Sequence, residues 1–217
     1  ADNHLKKYIW KGRPKIEDDT FRSFKQICDF CRSANIPLIL GGDVFDSPRP
    51  DSYSVDLCRE YLRGITAGVY WVDGNHDMSV PSWGKLVGAQ PIHKTTVTLG
   101  KFSVHGLNNT PTADLPETLK ALKGNVDFLV MHQLVDILCG AHMSNLAADS
   151  VPDNVRHVLL GDYHVPITKV NRKTSFSYPG SSCLMNWGET PLKSFMVFSD
   201  DGKYTRVPIQ GRQFITM

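Results

Sequence analysis

The sequence contains no apolar run near the roughly 18 residues that cross a bilayer, so no membrane partner is expected. It also lacks a charge imbalance: Lys and Arg number 24, Asp and Glu 22, and the net charge is +2. A binder working by bulk positive charge is excluded, and any basic surface must be local. Cysteines are few, with only Cys28, Cys31, Cys58, Cys139 and Cys183. An odd, scattered set is no disulfide framework and fits a reducing, cytoplasmic or nucleoid-associated setting. No Gly-x-Ser-x-Gly elbow or P-loop occurs, which leaves serine-hydrolase and NTPase readings without an anchor. What is present is ordinary for a globular α/β domain: 217 residues, 41% hydrophobic and 21% charged.

Apolar periodicity predicts a helix over residues 18–33, with Phe21, Phe24, Ile27, Cys28 and Cys31 on one face and Asp18 or Asp19 as its cap. A second helix is expected over 53–65 and a third over 115–122. Short apolar runs at 36–40, 68–72, 126–131 and 155–160 read as buried strands, each stopping at or near a polar or glycine-bearing turn. Residues 95–99 and 102–106 form an expected strand pair. From Ser175 onward hairpins are expected, with Asp200-Asp201-Gly202 turning between 195–198 and 204–209. Residues 139–153 make the longest stretch without an assigned element, a candidate functional loop. The pattern implies a layered α/β sandwich.

The informative residues sit where the strands stop, the usual place for a site in an open α/β sheet. In order they are Asp2-x-His4, Gly42-Asp43-Val-Phe-Asp46, Gly74-Asn75-His76-Asp77, Met131-His132-Gln133 and Gly161-Asp162-Tyr-His164. Each tag alone is weak, because Gly-Asp after a strand often only caps a helix. Five in order, four of them after an apolar run, form a strong signal. Carboxylates, an amide and imidazoles without cysteine suit hard or borderline divalent ions. Two ions about 3.5–4 Å apart would polarise a phosphoryl group and supply a hydroxide for in-line attack.

These ordered motifs resemble those of calcineurin-like metallophosphoesterases, from Asp2 to about Val197. Within that superfamily they are most similar to the SbcD-type DNA-repair nucleases, through Gly42-Asp43-Val-Phe-Asp46 and through Tyr178-Pro-Gly-Ser-Ser182 followed by Asn186-Trp-Gly-Glu189. The resemblance implies an α/β/β/α sandwich with a di-metal site at the C-terminal strand ends. It places Asp2, His4, Asp43 and His164 on one ion, and Asp43, Asn75, His132 and Asp162 on the other, with Asp43 bridging. Mn²⁺ is the expected ion and Mg²⁺ the substitute. His76 has no metal seat in this scheme and would serve the leaving oxygen, with the Asp46 carboxylate orienting it as an ion-pair partner. Asp162 stands where the family usually has histidine; it either takes the ligand seat, favouring Mn²⁺ or Mg²⁺ over Zn²⁺, or merely caps a turn. The resemblance further implies a nuclease domain over 1–198 lacking its first strand, with 199–217 as a terminal strand leading toward a capping region. It also implies DNA, an SbcC-type ATPase and a second copy of the chain as partners.

Trp10, Lys11 and Arg13, in a basic segment with interleaved aromatics, are candidates for tracking a phosphate backbone. Cys28-x-x-Cys31 has zinc-type spacing but lies on a helix with no second pair, so core packing is its reading. His93, His105, His142 and His157 match no motif. The leading function is a di-metal DNA exonuclease or single-strand endonuclease. The alternatives are a small-substrate phosphoesterase, acting on cyclic nucleotides or phosphomonoesters, and a non-catalytic scaffold.

Overall fold

The structure, a computed structural model, describes residues 1–7, 18–186, 188–189 and 192–212. Helix α1 (Asp19–Ala34) buries Phe21, Phe24, Ile27, Cys28 and Cys31 on one face and ends at Asn35, whose φ of 49° turns the chain out of the helix. Asp18 holds the cap position, yet its carboxylate makes no cap bond and accepts the Tyr53 hydroxyl instead; Asp19, inside the helix, pairs with Arg212. Strand β1 (Leu38–Gly41) starts two residues later than the apolar run suggests. Helix α2 (Ser52–Leu62) is capped by Asp51, whose side chain accepts the Ser54 N–H at 2.9 Å. It stops short of residue 65 because Arg63 is extended and Gly64 has φ 86°.

Strands β1, β2 (Val69–Val72) and β3 (Gln90–Pro91) form a parallel sheet, with the short helix α3 (Trp83–Leu86) before β3. A second sheet has six strands. It orders β4 (Thr95–Leu99), β5 (Phe102–Leu107), β6 (Val126–His132), β7 (Val155–Gly161), β9 (Thr174–Tyr178) and β8 (Ile167–Asn171). Strands β5, β6, β7 and β9 run parallel, so their C-terminal ends open on one rim. Helices α4 (Leu115–Lys120) and α5 (Asp136–Cys139) adjoin the second sheet. The hairpin β10 (Lys193–Phe198) and β11 (Tyr204–Ile209) pairs across the 198/199 boundary read from the sequence.

Three apolar clusters make the layers. One joins α1 and α2 to β1 and β2, and another packs Leu115, Leu119, Leu138 and Leu146 on the six-stranded sheet. Between the sheets lie Val72, Ile92, Val104, Phe128 and Val130. An apolar cavity of about 330 Å³ borders this last cluster, lined by Leu38 and Leu40 of β1, Phe128 and Val130 of β6, and Phe195 and Val197 of β10. The result is the mixed α/β sandwich that the strand and helix pattern implies. The hairpin region starts earlier than Ser175, because β8 turns into β9 through Arg172 at φ 53°, a left-handed turn carrying no glycine to announce it. Residues 139–153 are likewise more ordered than their sequence suggests. Asp136 accepts the Ala148 N–H at 2.9 Å, and residues 148–150 form a 3-10 turn. The five cysteines are all free and buried, Cys28 and Cys31 within the core of α1. Among the described residues no helix is long and apolar enough to cross a membrane.

Candidate metal centre

The loops after β1, β2, β6 and β7 converge with the chain start. Asp2 N–H donates to the Gly42 carbonyl at 3.0 Å, and the Asn3 and His4 N–H groups both donate to the Asp43 carbonyl. Asp2, His4, Asp43 and Asp162 all have positive φ, between 45° and 89°. Four non-glycine residues held there by hydrogen bonding and close packing are the strained backbone often found at functional sites.

The packing around them is tight enough to demand glycine. A Cβ on Gly42 would lie 2.2 Å from His132 Nδ1 and one on Gly74 2.1 Å from Asp43 Oδ1, while one on Gly161 would strike the Gly41 carbonyl at 2.2 Å. Asp77, fully buried, accepts the N–H groups of Val44, Phe45 and Gly74 at 2.9–3.3 Å and so ties the Asp43 loop to the His76 loop. Burial pushes its pKa up to about 7 against those hydrogen bonds.

Three histidines present one ring nitrogen to the centre by anchoring the other. His132 Nδ1 donates to the Gly41 carbonyl at 2.9 Å, His76 Nδ1 to the Asp46 carbonyl at 2.8 Å, and His164 Nδ1 to Glu189 Oε1 at 2.9 Å. Each anchor is an acceptor, so the proton sits on Nδ1 and the Nε2 lone pair is free for a cation. His4 Nε2 faces His164 Nε2 at 3.2 Å.

Ligand atoms of three groups lie within 4.8 Å of one another: Asp2, His4 and His164; Asp2, Asp43 and His132; and His4, Asp43 and His76. The first group holds three of the four residues read for one seat, and the second holds Asp43 and His132 of the other together with Asp2, while Asp43 Oδ2 lies 3.4 Å from His132 Nε2 and 3.8 Å from His4 Nε2. Asp162 is placed further out, its Oδ1 3.9 Å from His132 Nε2, while its N–H donates to Asp2 Oδ1 at 3.0 Å. Asn75 occupies the exposed turn between Gly74 and His76; the N–H of His76 donates to Asp43 Oδ1 at 2.9 Å. His76 Nε2 stands 4.0 Å from Asp43 Oδ2 with its side chain 41% exposed, at the mouth of the centre.

One reading needs correction. The Asp46 carboxylate does not pair with His76. It accepts from Lys6 Nζ at 2.6 Å and faces His4 Nδ1 at 3.6 Å, and only its main-chain carbonyl holds His76. Lys6, charged and next along the chain from the Asp2–His4 turn, competes for the carboxylate. Trp10, Lys11 and Arg13 lie outside the described residues.

The electrostatics call for cations. Asp2 Oδ2, His4 Nδ1 and His132 Nε2 are buried without a hydrogen-bond partner. Burial pushes the His132 imidazole down, but the adjoining Asp43 carboxylate, with Asp2 behind it, outweighs burial and raises its pKa to about 9. The Asp162 carboxyl is raised by burial and by the neighbouring charges of Asp2 and Asp43. Clustered carboxylates, free imidazole nitrogens and orphaned buried atoms fit divalent metal ions of borderline or hard character.

Residues the sequence did not single out complete the frame. Buried Asp73 accepts from Trp71 Nε1 at 2.7 Å, from the Ser82 hydroxyl at 2.8 Å and from Asn108 Nδ2 at 2.8 Å. Asn109 Nδ2 holds the His132 carbonyl at 3.0 Å. Their signal in the sequence is slight: an Asp before Gly-Asn-His and an Asn pair after an apolar strand.

The strand-end carboxylates and histidines, the two packed sheets and the metal-type donor set define a phosphoester-hydrolysing class of α/β sandwich, and comparison with known proteins gives the family. The chain belongs to the calcineurin-like phosphoesterases, whose family model matches residues 1–178. No curated protein matches it. Among solved structures it is similar to TT1561 of Thermus thermophilus, at 12% identity and a TM-score of 0.63, over 87% of this chain and 93% of that one. It is also similar to an archaeal phosphodiesterase, at 11% identity and a TM-score of 0.51, over 88% and 94% of the two chains. The likeness to YfcE, a phosphoesterase from E. coli, is weaker, with 16% identity, 87% and 92% coverage and a TM-score of 0.48. At their identities the first two likenesses speak for the fold alone.

Proposed function

We propose that this chain hydrolyses small phosphodiesters or phosphomonoesters using two divalent cations. The observation that carries the reading is the pair of ligand groups built on Asp2, one completed by His4 and His164 and the other by Asp43 and His132. When bound, two cations polarise the phosphoryl group and offset charge on the attacking and leaving oxygens. Asp43 and Asp2 supply the negative charge that holds them together. His132 and His164 offer Nε2 because their Nδ1 protons are engaged elsewhere. His76 stands outside the buried ligands with its Nδ1–H fixed on the Asp46 carbonyl. A second proton on Nε2 passes from there to the departing oxygen.

Two considerations support a small substrate. The family match extends to phosphoester hydrolysis and no further, and one similar structure is described as a phosphodiesterase. The stretch that resembles DNA nucleases is also turned inward. The Tyr178 hydroxyl donates to the Gln133 carbonyl at 2.6 Å, and Glu189 holds His164, so these residues are engaged within the protein and do not argue for DNA over a small ester.

A second reading, cleavage of DNA ends, rests on a separate observation. The basic segment 8–17 is flanked by Lys7 and Asp18, which are joined by a 3.3 Å backbone bond, and Lys6 sits on Asp46 beside the site. The two flanks of this Lys- and Arg-rich segment are therefore held together, one residue along the chain from Lys6. The test is Mn²⁺-dependent turnover of bis(p-nitrophenyl) phosphate and p-nitrophenyl phosphate beside end-labelled single- and double-stranded DNA, wild type against His76→Ala. Small-ester turnover lost in the variant, with DNA intact, supports the proposal. DNA degradation with negligible small-ester turnover replaces it with the second reading, and inactivity on all of them overturns both.

A further inference from the structure

Glu189 carries five hydrogen-bond donors on one carboxylate. Oε1 accepts His164 Nδ1 at 2.9 Å and Asn186 Nδ2 at 3.0 Å. Oε2 accepts Lys193 Nζ at 2.7 Å, the Met185 N–H at 3.1 Å and the Ser181 hydroxyl at 3.2 Å. Both members of the Glu189–Lys193 pair are buried, with side chains 7% and 5% exposed. A buried ion pair is costly to assemble without further hydrogen bonds, and here Lys193 Nζ also donates to the Ser181 hydroxyl at 2.7 Å.

The same loop grips the centre at two further points. The Ser181 N–H donates to the His164 carbonyl at 3.2 Å, and the Ser182 N–H donates to the Asp2 carbonyl at 3.2 Å. A Cβ on Gly180, which has φ 83°, would lie 2.8 Å from the His164 carbonyl, so the loop passes close against that strand end. The contacts fall on His164, which belongs to one ligand group, and on Asp2, which both groups share. Of the other histidines at the centre, His132 and His76 are anchored by main-chain carbonyls, at Gly41 and Asp46, and His4 Nδ1 has no hydrogen-bond partner. A carboxylate acceptor brings a full negative charge to the imidazole and makes its free nitrogen a stronger donor.

We propose that Glu189, with Lys193 as its buried counter-charge, is a positioning residue for one of the two cation seats, the one formed by Asp2, His4 and His164. It holds His164 with the proton on Nδ1 and Nε2 directed at His4, and it does so without touching the Asp2–Asp43–His132 seat. The two seats therefore differ in what supports them, and removing the Glu189 contact weakens one selectively. This inference rests on the metal-dependent reading of the site.

The test is Mn²⁺ titration of the metal-free 217-residue chain by calorimetry, with wild type, Glu189→Gln and the double variant Glu189→Leu/Lys193→Met. The double variant removes both charges together and leaves no unpaired buried ion. The expected result is two Mn²⁺ on the wild type. In both variants one seat loses affinity by about 10–100-fold, the cost usual for an outer contact of a metal ligand, while the other is unchanged. The ¹⁵N spectrum of His164 should at the same time lose its Nδ1-protonated signature in the double variant, a change that a loss of packing elsewhere would not produce. Unaltered affinity at both seats, equal weakening of both, or unfolding of both variants overturns the proposal. A wild-type chain that binds no Mn²⁺ overturns the metal-dependent reading itself, which separates that failure from this one.

Discussion

The Nδ1–H of His76 donates to the main-chain carbonyl of Asp46 at 2.8 Å, so these residues are joined through backbone and not through a carboxylate. A neutral carbonyl fixes the ring without bringing a full charge to it. Replacing the Asp46 side chain should therefore matter much less than replacing His76. Asp46→Asn is expected to lower turnover by under about 10-fold, and His76→Ala by about 10²–10⁴-fold, the range for a positioned proton donor. Steady-state kinetics on a generic phosphodiester, with metal content measured alongside, decide it. Equal losses would restore the ion-pair arrangement.

Asp77 should behave as a structural brace. Its carboxylate meets three main-chain N–H groups, of Val44, Phe45 and Gly74, in a fully buried setting. Asp77→Ala strands those donors at about 1–3 kcal/mol for each group left unsatisfied, which threatens folding outright. Asp77→Asn keeps one acceptor oxygen and should be milder. Urea denaturation of both variants gives the order, and an alanine variant as stable as wild type would remove the brace.

Glycine at position 161 is required by contact and not by φ. A Cβ there would lie 2.2 Å from the Gly41 carbonyl and 2.4 Å from His132 Nδ1. Gly161→Ala must push β1 from β7 or displace His132, at about 1–3 kcal/mol. Gly100→Ala, where a Cβ meets nothing within 4 Å, has no such clash and faces only the strain of its φ of 60°. Thermal melts with Mn²⁺ titration should show weakened metal binding for the first variant only.

His157 offers a pH test far from the centre. Its ring stacks on Phe128 at 5.1 Å and borders Phe198, and its Nε2 is buried without a partner. Burial, followed by the nearby Arg156, lowers its pKa below the ordinary 6.5. Above that pH the ring is neutral folded or unfolded and contributes no slope. Below it the unfolded chain takes the proton first, so stability falls as pH falls toward the folded-state pKa. His157→Phe should remove that part of the acid slope and add about 1 kcal/mol by eliminating the unpaired nitrogen, or roughly 2–4 °C in Tm for a chain of this size. An acid slope unchanged by the substitution, measured downward from pH 6.5, would contradict it.

Asp2, His4, Asp43, His76, His132 and His164 were legible because each follows an apolar strand or joins the motifs that do, and strand ends gather on one rim of a parallel sheet. The sandwich was legible for the same reason, from buried runs such as 126–131 alternating with helical periodicity. The roles of Asp77, Asp73 and Lys193 were not. Their importance lies in which main-chain groups or side chains they meet, and a single sequence carries no record of that. The Asp46 side chain illustrates the limit: three residues after Asp43 it lies near both His76 and His4, and only the placement of Lys6 shows where its charge is spent. The turn at Arg172 and the two-residue strand β3 escaped because neither carries a glycine signal or enough length for periodicity.

The most direct measurement is electron paramagnetic resonance of the metal-free chain titrated with Mn²⁺, wild type beside Asp43→Asn. Asp43 Oδ2 lies 3.8 Å from His4 Nε2 and 3.4 Å from His132 Nε2, so two ions seated on either side of it must sense each other. The expected result is uptake of two ions per chain with a spin-coupled spectrum, and loss of the coupling in the variant. An isolated six-line signal from a single ion, or no bound Mn²⁺, would contradict a two-metal phosphoesterase centre.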